Sequence, residues 1–162
     1  MERDEGKNLV FGCVDPVNPL PFPNSEGVAF HIVGIEALAL GYVMERASAR
    51  IGLETISEFV PHDVQAENGP LYKLKVSESP LFWVGNAPNI LIALDTQARL
   101  GRRGSLLPGS ALVYDSTSEK VRPDQPRGVS VYPVPMEGIS EKLGYPSAKW
   151  MVALGAVSKL FG

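Results

Sequence analysis

The sequence predicts a three-layer α/β fold, a largely parallel sheet with helices packed on its faces. Three observations carry that expectation. Short apolar runs suited to buried strands recur along the 162 residues and alternate with segments of helical period. The chain holds 16 glycines and 14 prolines, which demand many tight turns and leave little room for an all-helical structure. Hydrophobic residues make up 44% and charged residues 20%, the balance of an ordinary globular domain.

The first stretch, 1–27, stands apart as a proline-rich N-terminal arm. Pro16, Pro19, Pro21 and Pro23 forbid a helix and favour an extended chain. Leu9, Val10 and Phe11 could add a short strand or dock on a partner. The single α/β domain then occupies 28–162. Residues 28–35 (VAFHIVGI) read as a buried strand. In 35–51 the period changes: Ile35, Leu38, Ala39, Tyr42 and Val43 form the apolar stripe of a helix, with Glu36, Glu45, Arg46 and Arg50 mostly opposite. Gly52 follows where a helix C-cap belongs.

A second strand spans 53–60 and stops at Pro61, before the polar segment 61–70 (PHDVQAENGP). Residues 71–76 (LYKLKV) alternate as a strand with one wet face, and 89–94 (NILIAL) form another apolar strand ending at Asp95. A short helix or turn at 96–107 carries Arg99, Arg102 and Arg103, and Pro108-Gly109 marks a turn. Residues 111–114 (ALVY) are the next strand, stopped at Asp115-Ser116. The last strand, 129–134, contains Pro133, which places it toward an edge. A short helix at 137–143 closes at Gly144, and Ser147 is the expected N-cap of a final helix through Leu160. This order of elements is Rossmann-like.

Composition excludes several classes. A net charge of −3 builds no basic field, so no nucleic-acid partner is expected. No apolar run approaches the ~18 residues of a membrane span, and no membrane partner is expected. Cys13 is the only cysteine, too few for an internal disulfide, an iron–sulfur cluster or a Cys-rich zinc site. His31 and His62 are the only histidines, so a His-x-x-x-His zinc helix is impossible and no metal site is expected. The charged N-terminus leads into no signal core, and the expected location is cytoplasmic.

The chemistry-bearing residues are few, and no catalytic residue is assigned. The strand-to-helix turn that would carry a dinucleotide fingerprint reads Gly34-Ile35-Glu36-Ala37-Leu38-Ala39, with only the first glycine in place. Glu36 there suits the helix dipole but repels a phosphate, so NAD and FAD are not expected. His62, in the polar loop, could act as a base or hydrogen-bond a ligand; His31, inside an apolar strand, reads as a satisfied core residue. Asn68 and Gly69 lie where the loop joins the next strand, and Gly69 permits positive φ or close backbone approach. Arg102 and Arg103, beside glycines, could grip a phosphate or a partner carboxylate. His62, Asn68, Gly69, Arg102 and Arg103 are thus the candidate ligand-binding set. The triplet Leu81-Phe82-Trp83 sits in a connection between Pro80 and Gly85, where successive side chains diverge, and is a candidate interface.

From Val28 onward the order of motifs resembles the gamma subunit, or gamma domain, of the 2-oxoacid:ferredoxin oxidoreductases. Ser79-Pro80-Leu81 resembles the family's SPL turn, and the strand from Asn89 to Asp95 follows it. Leu106-Leu107-Pro108-Gly109-Ser110, then the strand ending Asp115-Ser116, is similar to the family's KPGG turn and the strand after it. Val131-Tyr132-Pro133-Val134-Pro135 resembles the strand with the VPA turn, and Met151-Val152-Ala153-Leu154-Gly155-Ala156 the NMVALGA helix. The loops depart from the pattern. The usual GxGGQG turn is absent at Gly34, the PSYGPExRGG loop is reduced to 61–70 without its arginine, and Trp150 replaces a common Asn.

The resemblance implies an accessory component of an enzyme that cleaves 2-oxoacids with thiamine diphosphate, iron–sulfur clusters and coenzyme A. Those groups would be held by alpha and beta type partner subunits, and none by this chain. The chain would shape a shared site and would not catalyse alone; homo-oligomer formation is also compatible. A small α/β protein binding an anionic ligand near Arg102 and Arg103, or a non-catalytic interaction domain, are the alternatives.

Overall fold

The computed structural model describes residues 27–61, 69–117 and 127–161; the proline-rich arm falls outside them. Six strands form one sheet: β1 (Val28–Val33), β2 (Glu54–Val60), β3 (Leu71–Ser77), β4 (Ile90–Ala93), β5 (Ala111–Asp115) and β6 (Ser130–Val134). Their order is β2-β3-β1-β4-β5-β6. β1, β4, β5 and β6 pair in parallel, while β3 runs antiparallel between β1 and β2. The sheet is therefore largely parallel, as the sequence predicts. Pro133 sits on β6 at the sheet edge, where a missing N–H costs no ladder bond.

Alternation along the strands divides the core into two layers. Phe30, Ile32, Tyr72, Leu74, Ile90, Ile92 and Val113 pack against α1 (Ala37–Arg50), α3 (Met136–Lys142) and α4 (Lys149–Phe161). Val33, Leu71, Leu91, Ala93, Leu112 and Tyr114 face the opposite way, against Ala98 of α2 (Thr96–Arg102) and Leu106. Ile32, Leu74, Leu91 and Ile92 are fully buried. Each such side chain contributes about 1.5–3 kcal/mol relative to exposure, so the fold needs no staple.

Two sequence expectations are corrected. The buried stripe of α1 is Ala37, Leu40, Gly41 and Met44, not the stripe that begins at Ile35. Ile35, Leu38 and Tyr42 are exposed. The helix carries apolar residues on two faces, and Gly41 decides which one is buried. A Cβ there would lie 2.2 Å from the Tyr72 ring, so the missing side chain lets α1 settle onto β3. Ser147 is not the cap of α4: it lies in a 3-10 turn at Pro146–Ala148, and the helix starts at Lys149. Gly52 does follow α1 with φ +86°, the left-handed conformation a C-cap glycine supplies.

Candidate functional site

In an open parallel sheet, ligands bind outside the carboxyl ends of the strands, where helix N-termini offer free N–H groups. Here Gly34 follows β1, Asp95 stands two residues past β4, and β5 ends at Asp115. Gly34 has φ +118°, and a Cβ on it would lie 2.6 Å from Asp95 Oδ2, so only glycine fits. Its N–H donates to the Pro70 carbonyl at 3.1 Å, bringing the end of the 61–70 loop to this edge.

Three helix starts at this edge are occupied by the chain's own carboxylates. Asp95 Oδ1 accepts the Ala98 N–H at 2.7 Å at the start of α2. Asp115 accepts from the Met136 and Glu137 N–H groups at 3.1 and 3.2 Å, and the Thr117 hydroxyl accepts the Gly138 N–H, together closing α3. Glu36 Oε2 accepts the Trp150 N–H at 3.1 Å, closing α4. The sequence placed Glu36 at the dipole of α1; its carboxylate in fact serves a different helix, 114 residues further along the chain. Burial raises the Glu36 pKa, opposed by the Trp150 hydrogen bond and the Lys149 charge. Leu94, Asp95, Thr96, Asp115, Glu137 and Lys149 line a shallow cavity of about 160 Å³ between these caps. Three of these six residues are carboxylates against one lysine, a poor host for phosphate.

Of the predicted ligand residues, Gly69 and Arg102 are described in full and Arg103 by its backbone alone. His62 and Asn68 lie outside the described residues. Gly69 takes φ +66° with open space around it, one residue from the carbonyl that Gly34 meets. Arg102 ends α2, away from that edge, and Arg103 opens the following 3-10 turn. Arg102 instead acts electrostatically on His31. His31 is 2% exposed, so it is a core residue as expected, but neither ring nitrogen has a hydrogen-bond partner among the described residues. It pairs across the strands with Lys73, itself bridged to Glu58 at 2.7 Å. Burial first, then the Lys73 and Arg102 charges, lowers the His31 pKa to about 4; Glu58 opposes them.

Sequence reasoning missed Asp95, Asp115 and Thr117 as functional caps. The available signal was an Asp at a strand end followed by Ser or Thr, in Asp95-Thr96 and Asp115-Ser116-Thr117. Two of the triplet are exposed as expected, Phe82 at 89% and Trp83 at 63%, with the Lys75 ammonium 5.8 Å from the Trp83 ring centroid, while Leu81 is half-buried. Among the described residues no group of three metal-binding side chains occurs, and no helix is long and apolar enough to cross a membrane. One cysteine cannot supply the ligands of an iron–sulfur cluster, and the carboxylates at the starts of α2, α3 and α4 disfavour a pyrophosphate at those three helices.

No curated protein sequence matches the chain. Among solved structures, it is similar to 2-oxoglutarate:ferredoxin oxidoreductase from Magnetococcus marinus with 2-oxoglutarate, coenzyme A and succinyl-CoA bound. The TM-score is 0.73 and the identity 28%, over 82% of this chain and 24% of that one. This chain thus spans about a quarter of that relative. The keto/oxoacid ferredoxin oxidoreductase gamma subunit from Geobacter sulfurreducens matches with TM-score 0.63 and 19% identity, over 80% of this chain and 73% of that one. The pyruvate oxidoreductase subunit PORC of Thermotoga maritima matches with TM-score 0.59 and 12% identity, over 83% and 78%. These last two share the fold. The sequence profile described as pyruvate ferredoxin/flavodoxin oxidoreductase matches residues 37–162. With its sheet order, capped carboxyl edge and this match in hand, the chain belongs to the pyruvate ferredoxin/flavodoxin oxidoreductase family and has the fold of its gamma subunits.

Proposed function

We propose that this chain is an accessory, gamma-type subunit or domain of a 2-oxoacid:ferredoxin oxidoreductase. It shapes a site shared with thiamine-binding alpha and beta type subunits and does not catalyse alone. Beside family membership, one observation carries the reading: the edge where this fold would hold a phosphate is closed by Glu36, Asp95 and Asp115. Exposed apolar residues flank it. Ile35 and Met151, the neighbours of the bonded pair Glu36 and Trp150, are both exposed, as are Phe82 and Trp83 on another part of the surface. Such groups serve association, where truncating a Trp often costs ≥ ~2 kcal/mol. Thiamine diphosphate, clusters and coenzyme A belong to the partners in this account, and the complex works in the cytoplasm.

The test is the double variant Phe82→Ala, Trp83→Ala in the full chain. Assembly with the thiamine-binding subunits should weaken at least tenfold while the melting temperature holds. Loss of assembly only through unfolding would reject the interface. A second reading, an anion-binding protein, is favoured by the positive surroundings of His31 from Lys73 and Arg102. Equilibrium dialysis with inorganic phosphate separates the two, since the first reading expects no retention.

A further inference from the structure

We infer that the free edge of β2 is an interface between two copies of this chain, formed by antiparallel β2–β2 pairing about a two-fold axis at Ser57. β2 ends the sheet, and no described strand lies beyond it. Natural edges are blunted by proline, by charged side chains (lysine above all), by bulges or by short length. The opposite edge, β6, carries Pro133 and has five residues. β2 has seven residues, no proline and an unbroken register with β3 from Glu54↔Ser77 to Val60↔Leu71; its only charges are Glu54 and Glu58, which one register sets against uncharged residues. Glu54, Ser57, Glu58 and Phe59 are exposed, so residues on both faces of the strand are open.

The strand is complementary to itself in one register. A two-fold axis perpendicular to the sheet keeps its faces continuous, so residues of like parity must stand opposite each other. Centring on Ser57 sets Glu54 against Val60, Thr55 against Phe59 and Ile56 against Glu58. All seven residues pair, no like charges meet, and Thr55 with Phe59 is a favourable cross-strand pair. Centring on Ile56 would set Glu54 against Glu58, and centring on Glu58 would set that carboxylate against itself. Charge complementarity supports the Ser57 register. Lys75 neighbours Ile56 within one copy, which places it in the same row as the second copy's Glu58. Glu58 is already bridged to Lys73, so no isolated carboxylate is driven into the seam.

The test uses the full chain in sedimentation equilibrium and oxidative cross-linking. The expected result is a dimer. In a Cys13→Ser background, Ser57→Cys should give a disulfide-linked dimer on mild oxidation. Thr55→Cys should not, because its own copy lies four residues out of register, beyond disulfide reach. Ile56→Glu should weaken the dimer at least tenfold by facing Glu58 of the second copy. It keeps the monomer folded, since Lys75 of its own chain stands beside it. Ile56→Lys should retain the dimer. A chain that stays monomeric, its edge covered by its own arm or left bare, overturns the inference. So does a dimer unmoved by Ile56→Glu and cross-linked no better through position 57 than through 55.

Discussion

Acid should destabilise this fold through His31, in a window fixed by its surroundings. In the unfolded chain the imidazole takes a proton near pH 6.5; folded, burial and the Lys73 and Arg102 charges delay that to about 4. Between those values the unfolded state binds more protons, so stability falls as pH falls. The contribution is complete above 6.5 and gone below about 4. At 1.36 kcal/mol per pH unit, the gap amounts to about 3 kcal/mol, a large share of a typical ~5–15 kcal/mol domain stability. His31→Leu removes the proton and the two unpartnered nitrogens together, and Leu suits a position between Lys73 and Leu91. Urea unfolding of both proteins from pH 4 to 7 isolates the effect, because the carboxylates titrate alike in each. The variant should gain about 3 kcal/mol over the wild type on going from pH 7 to 4. A pH-independent difference, or a His31 proton resonance titrating near 6.5, would refute the reasoning.

Gly41→Ala should lower stability by about 1–2 kcal/mol. Its Cβ meets a Tyr72 ring held by its hydroxyl's bond to Glu45, and helix propensity returns only ~1 kcal/mol of the strain; thermal melting reads this as a loss of a few degrees. Asp115→Ala removes acceptors for the Met136, Glu137 and Thr117 N–H groups, and should cost about 2 kcal/mol in urea unfolding. NAD and FAD should show no micromolar binding by calorimetry, since the Glu36 carboxylate stands at the residue that precedes α1, where a pyrophosphate would have to sit, and would repel it; tight binding unchanged in Glu36→Gln would contradict that.

The six strands were legible because each is a short run of apolar residues bounded by Gly, Pro or Asp, a local pattern that needs no knowledge of the rest of the fold. Parallel pairing followed from helices between strands. What the pattern missed was antiparallel β3: the 61–70 connection between β2 and β3 reads as polar loop, and nothing local says which way the chain returns. The orientation of α1 was hidden because the helix has two apolar stripes, and the choice between them rests on Tyr72, 31 positions beyond Gly41. The site was hardest to read. Glu36 caps a helix 114 residues away, a contact that only the tertiary fold makes. Arg102 closes α2 and Gly69 stands two residues before β3, placements that their loop-like sequences do not reveal. Phe82 and Trp83 were legible as exposed because three large apolar residues in a tight connection cannot all turn inward.

Assembly with thiamine-containing partners is read by isolating the tagged full chain from its native cells under anaerobic conditions. The isolate is assayed for thiamine diphosphate, iron and 2-oxoacid-dependent reduction of a viologen dye. A stoichiometric complex that holds all three properties is expected, together with no turnover by this chain once separated from its partners. A chain that purifies without thiamine-containing partners, or that oxidises a 2-oxoacid by itself, would contradict it.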